Sequence, residues 1–88
     1  MADYIGMDPD EVKAFAQQLQ TKSGELQQIV SQLTSQLTNT TWVGADRTRF
    51  EGDWQGTIAV NLKNAADQLH EASTLATSNA EAQIATSA

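Results

Sequence analysis

The chain has 88 residues, no cysteine, one proline and a net charge of −6, from five Lys+Arg against eleven Asp+Glu. That length allows one small domain with a barely sufficient core, and without cysteine no disulfide, thiolate metal site or thiol nucleophile is available. The acidic balance disfavours nucleic acid and anionic membrane surfaces as partners, and no apolar run approaches the ~20 residues of a membrane span.

Residues 1–7 read as an N-terminal arm. Met1-Ala2-Asp3-Tyr4-Ile5-Gly6 has no basic region, apolar stretch or cleavage site, so a classical signal peptide is not expected. The default location is then cytoplasmic, with export by a route that cleaves no signal left open.

A helix start follows. Asp8 can cap, Pro9 suits the first helical position, and Glu11 stands three residues after Asp8 as in a capping box. Met7 before the cap and Val12 after it match a hydrophobic staple. From there Val12, Ala16, Leu19, Ser23, Leu26, Val30, Leu33 and Leu37 step by alternating fours and threes, a heptad seam with one small polar interruption. Phe15 and Ile29 widen the stripe on one flank to about 140°, against about 100° for an ordinary amphipathic helix. The surplus predicts two packing neighbours: the second helix of this chain and a different chain.

The pattern stops at Thr38-Asn39-Thr40-Thr41. Asn39 tolerates the left-handed conformation that ends helices, and the threonines offer the backbone alternative hydrogen bonds. Trp42-Val43-Gly44 follows. Periodicity then resumes with Phe50, Trp54, Ile58, Leu62, Ala65, Leu69, Ala72 and Ala76, again in threes and fours. A short break between two long periodic segments predicts an all-α, antiparallel two-helix hairpin over residues 8–82. Its helices are expected at about 8–38 and 45–79, with the turn at 39–44. The Ala-, Ser- and Thr-rich end is expected to fray from about Asn79 and leave 83–88 as a flexible tail.

Gly52 and Gly56 sit inside the second helix, where each costs about 1 kcal/mol relative to Ala. They permit close approach of a neighbouring helix or mark an exposed face where glycine is tolerated. Arg47–Glu51 and Arg49–Asp53 have the spacing of exposed helix ion pairs, and a solvated face is the favoured reading. His70 has Asp67 within reach on one face but no nucleophile or metal-ligand companion, so a surface hydrogen bond is its favoured role. No catalytic constellation, cofactor motif or metal pattern stands out, and neither an enzyme nor a cofactor is expected. Trp54 and Phe50 read as packing residues on the second seam, and Phe15 and Ile29 as partner contacts or intrachain packing.

With Trp42-Val43-Gly44 placed between two long amphipathic helices near mid-chain, the sequence resembles the WXG-motif family, the early-secretory-antigen-like substrates of bacterial type VII (ESX-like) secretion. Phe50, eight residues after the tryptophan, matches an aromatic or apolar position usual there. The likeness runs from about Met7 to Ala82. Trp54-Gln55-Gly56 also reads W-x-G, but it lies inside the helical pattern and not in the break.

The resemblance implies a virulence-associated, non-enzymatic protein-binding hairpin that pairs with a family partner into a four-helix bundle. It implies export without a cleaved signal, to the medium or cell surface, through a membrane-embedded ATPase. Trp42 is expected to plug the bundle end, with docking to that ATPase as an added role, and Gly44 to permit the turn. Val12, Phe15, Leu19, Leu26, Ile29, Val30, Leu33, Leu37, Phe50, Trp54, Ile58, Leu62 and Leu69 are the expected core and dimer positions. Family members often carry Tyr-x-x-x-Asp/Glu after the second helix. The corresponding stretch here, Gln83 to Ser87, has neither residue type, and the only tyrosine is Tyr4. The resemblance therefore favours a heterodimer over a homodimer, with the partner addressing the ATPase. The competing reading is a cytoplasmic adaptor or chaperone-like hairpin that pairs with a larger toxin or effector. Neither reading involves nucleic acid or stable membrane insertion.

Overall fold

The computed structural model describes residues 6–87, so residues 1–5 of the expected arm, with Tyr4, and residue 88 of the expected tail lie outside the described residues. Three helices are laid along a rod of 65 × 17 × 14 Å: α1 (Pro9–Asn39), α2 (Ala45–Asp53) and α3 (Ala59–Ser87). A π-helical turn, Trp54–Ile58, joins α2 to α3 without a break. The packing of α1 against α3 makes the antiparallel hairpin that the sequence predicts.

The start of α1 follows its sequence signals in part. The Asp8 carboxylate accepts hydrogen bonds from the backbone N–H groups of Asp10 (3.0 Å) and Glu11 (3.4 Å), with Pro9 in the first turn. These satisfy two of the donors that every helix start leaves unpaired. Glu11 does not return the second bond of a capping box. Met7 and Val12, the expected staple, are both half-buried.

The end of α1 differs from expectation. Asn39 is the last helical residue, and no residue other than glycine has a positive φ among the described residues. The chain leaves through Thr40 in an extended conformation (φ −83°, ψ 131°), whose N–H bonds the Leu37 carbonyl at 3.2 Å. The Thr40 hydroxyl bonds the Gln36 carbonyl at 2.6 Å, so threonine chemistry, not a left-handed asparagine, closes the helix.

The contact between the helices is built from small residues. Ala16, Ser23 and Val30 of α1 are buried, as are Ala59, Ala66, Ser73 and Ala80 of α3, each set spaced by seven. Small side chains at the seam let the backbones approach closely. Ser23 uses that proximity to donate from its hydroxyl to the Ala66 carbonyl at 2.7 Å, so no buried polar side-chain atom lacks a partner among the described residues. Toward the tip the seam widens to hold Val30, Trp54 and Ala59, with Leu37 and Leu62 against them.

This corrects the second predicted seam. Ile58 is exposed and Ala59 is buried in its place, because the π turn inserts one extra residue: the Ala59 N–H reaches back five positions to the Trp54 carbonyl. After that step the inward positions are Ala59, Ala66, Ser73 and Ala80. Leu62, Ala65, Leu69 and Ala76 are half-buried beside them, and Ala72 is exposed.

The far end of α3 is also longer than predicted. It continues to Ser87, past the expected end near Asn79 and through most of the expected tail. Alanine has the highest intrinsic helix propensity, and Ala80 is fully buried, so composition and packing both extend the helix.

Gly24, Gly52 and Gly56 lie in helical segments, and a Cβ at any of them would meet open space. The close approach considered for Gly52 and Gly56 therefore does not occur within the hairpin. Gly52→Ala is expected to stabilise the chain by about 1 kcal/mol. A thermal melt should show the midpoint rising by about 4–8 °C, and a fall would reveal a role for the glycine that the hairpin does not display.

Candidate protein-binding face and hairpin tip

With the small heptad turned inward, the large apolar side chains fall on one flank of each helix. On α1, Leu19, Leu26 and Leu33 follow the buried positions by three residues, while Phe15, Lys22 and Ile29 precede them by one. On α3 the equivalent positions are Leu62, Leu69 and Ala76, and Ile58, Ala65 and Ala72. At 100° per residue both sets lie on the same side of their helix. Two antiparallel helices that meet through equivalent heptad positions turn equivalent flanks to one side of the hairpin, so these residues form one continuous face. The opposite side agrees with this geometry: Gln27 and Ser31 of α1 share a groove with Lys63 and Asp67 of α3, all polar.

The apolar face is open. Phe15 is 60% exposed, Ile29 46%, Leu33 43% and Ile58 39%. Leu75, at its edge, is 63% exposed. Such a large exposed apolar patch beside a polar back marks a protein contact surface. Of the expected core and interface positions, Val30 and Trp54 are buried, and Val12, Leu19, Leu26, Leu37, Leu62 and Leu69 are half-buried. Phe15, Ile29, Leu33, Phe50 and Ile58 are exposed.

At the tip the face runs into an open apolar cleft of about 290 Å³, lined by Leu33, Gln36, Leu37, Thr40, Trp42, Phe50 and Trp54. Trp42 leans on Phe50 with ring centroids 5.4 Å apart and planes at 45°. The Trp42 ring stays 37% exposed, and neighbouring Val43 is 91% exposed. The second W-x-G tryptophan behaves differently. Trp54 is buried, and its indole N–H donates to the Thr34 hydroxyl at 2.9 Å. Thr34 in turn donates to the Val30 carbonyl at 2.7 Å, so both groups are satisfied.

Gly44 opens α2 with φ 120° and ψ −174°. That region is essentially closed to residues with a Cβ, even though open space surrounds the position, so the requirement is one of backbone conformation. The Gly44 carbonyl accepts from the Thr48 N–H at 3.2 Å.

The turn is held by a residue whose role the sequence spacing conceals. Arg47 pairs with Glu51 at 2.6 Å as expected, but the same guanidinium also reaches back to the carbonyls of Thr40 (3.0 Å) and Trp42 (2.9 Å). Its side chain is 15% exposed. Those carbonyls lie just beyond the α1 terminus, and a forked cation there organises the whole break. The i,i+4 spacing showed the pair; the return to the turn became visible only with the hairpin folded. The Arg49–Asp53 pair does not form, and His70 and Asp67 are exposed without a bond between them.

Among the described residues, no group of three or more His, Cys, Asp or Glu side chains could hold a metal ion. No described helix is long and apolar enough to cross a membrane. The model of the WXG100 family, described as proteins of 100 residues with WXG, matches the sequence over residues 4–83. No curated protein and no solved structure matches the chain.

Proposed function

The chain belongs to the WXG100 family, whose members are in general small secreted type VII substrates, and from that premise we propose that it is exported by a bacterial type VII system as one half of a helical dimer. It acts by binding protein and performs no catalysis. The exported unit is a four-helix bundle in which another family chain covers the apolar face, and the tip carrying Trp42 and Val43 is left outside for the secretion ATPase.

The observation that carries this reading is the face itself. Small residues close the hairpin, and Phe15, Leu26, Ile29, Leu33 and Ile58 are left outward together. The 65 × 17 Å side of the rod has an outline of roughly 1,100 Å², above the ~800 Å² each partner contributes to a standard interface. Burying it against a second hairpin offsets the small core of a single chain.

Expression of a tagged chain in its host, with and without the secretion ATPase, tests the proposal. The chain is expected in the culture filtrate only when the ATPase is present. A doubly substituted face, Leu26→Asp with Ile29→Asp, is expected to weaken partner capture by ~100-fold or more, since each change buries an unpaired charge. Retention inside the cell in both strains would instead establish the adaptor reading. Wild-type export of a folded face variant, or export without the ATPase, would overturn the proposal.

A further inference from the structure

Along the paired length of the two helices, the apolar face carries one charged residue, Lys22. It stands between Phe15 and Ile29 and pairs with Glu25 at 3.0 Å, both side chains remaining at least half exposed. Glu25 lies at the outer edge of the same face. The middle of α1 (Pro9–Asn39) is residue 24, so Lys22 and Glu25 flank mid-length almost symmetrically. A two-fold axis crossing the helices between them exchanges their levels. It sets Lys22 of one copy beside Glu25 of the second, and the reverse, which is the reciprocity an isologous contact requires.

We propose that the occupant of the face is a second copy of this chain, packed antiparallel, with Lys22 and Glu25 crossing between copies at the centre to fix register and polarity. This rests on the reading of the face as a partner-binding surface and names its partner. The expectation of a different chain came from the C-terminal stretch; the charge placement on the face itself is self-complementary. Around the same axis, Phe15 falls near the level of the second copy's Leu33 and Leu19 near that of its Ile29, so apolar side chains meet on either side of the charges. The parallel arrangement fails on the same residue. Ser23 bonds Ala66 across the hairpin, which fixes the levels of the two helices. Lys22 would then lie over Ala65 and Leu69 of the other copy, with no carboxylate facing it, and a buried unpaired charge is strongly unfavourable.

Sedimentation of the purified chain, with Lys22→Glu and Glu25→Lys variants, tests the proposal. Wild type is expected as a dimer, and each variant alone should self-associate more weakly by roughly tenfold or more, because like charges then meet at the centre. An equimolar mixture of the two variants should recover wild-type association as a one-to-one pair, since the two central carboxylates of one variant then face the two central ammonium groups of the other. Loss of the Lys22–Glu25 contact within each helix cannot produce that recovery, and circular dichroism checks that both variants keep their helix. A wild-type dimer equally tight in both variants would overturn the charge crossing and leave the face as an interface. A wild-type chain that stays monomeric at micromolar concentration would overturn the second copy and assign the face to a different chain.

Discussion

Trp54→Ala is expected to cost about 3–5 kcal/mol, while the same change at Trp42 should cost much less. Trp54 fills the widest part of the interhelical seam, against Val30 and Ala59, with Leu37 and Leu62 alongside. Removing it leaves a cavity that the rigid π turn beneath it cannot easily close. Trp42 keeps 37% of its surface exposed and rests mainly on Phe50, so its removal vacates a surface site. Trp54→Phe separates area from hydrogen bonding. It retains most of the packing, and Thr34 still has the Val30 carbonyl as a partner, so the lost indole bond should cost only about 1 kcal/mol. Thermal melts followed by far-UV circular dichroism would rank the three variants. Equal damage from Trp42→Ala and Trp54→Ala would mean that the exposed tryptophan holds the hairpin together, contrary to the burial pattern.

The contrast between the two tryptophans shows where the sequence was legible. The Asp8-Pro9 start, the α1 heptad and the break at 40–44 were all readable, because capping and periodicity are local properties with a direct chemical cause. The α1 seam was read in the right phase because no irregularity interrupts that helix. On the second helix the large residues Ile58, Leu62 and Leu69 continue the threes and fours of Phe50 and Trp54. Nothing in that spacing reveals the extra residue of the π turn. The true inward set, Ala59, Ala66, Ser73 and Ala80, carries little hydrophobic signal and was outvoted by its larger neighbours. Arg47 was hidden for another reason: its carbonyl partners at Thr40 and Trp42 are set by the fold of the turn and by no pattern of residue types. The length of α3 was underestimated because a scarcity of large apolar residues was read as disorder, when alanine suits both a helix and a close-packed seam.

If small size is what the inward heptad selects, then Ala66→Leu should destabilise the hairpin by about 1–3 kcal/mol, although it adds apolar surface. Ala66 has no exposed area, and its carbonyl accepts the Ser23 hydroxyl at 2.7 Å. A leucine there must either leave its preferred rotamers or push α3 away from α1. Displacement would break that bond and leave the Ser23 hydroxyl buried without its partner, adding a desolvation cost to the steric one. The same enlargement at Ala72, which is exposed on the other phase of α3, should leave the melting temperature of the isolated hairpin nearly unchanged. Ala72 belongs to the face assigned to the second chain, so Ala72→Leu should act on association and Ala66→Leu on folding. Melting and sedimentation measured on both variants separate the two surfaces. A harmless Ala66→Leu would show that the helices are not held at close range, and the division into a small inward seam and a large outward face would fail with it.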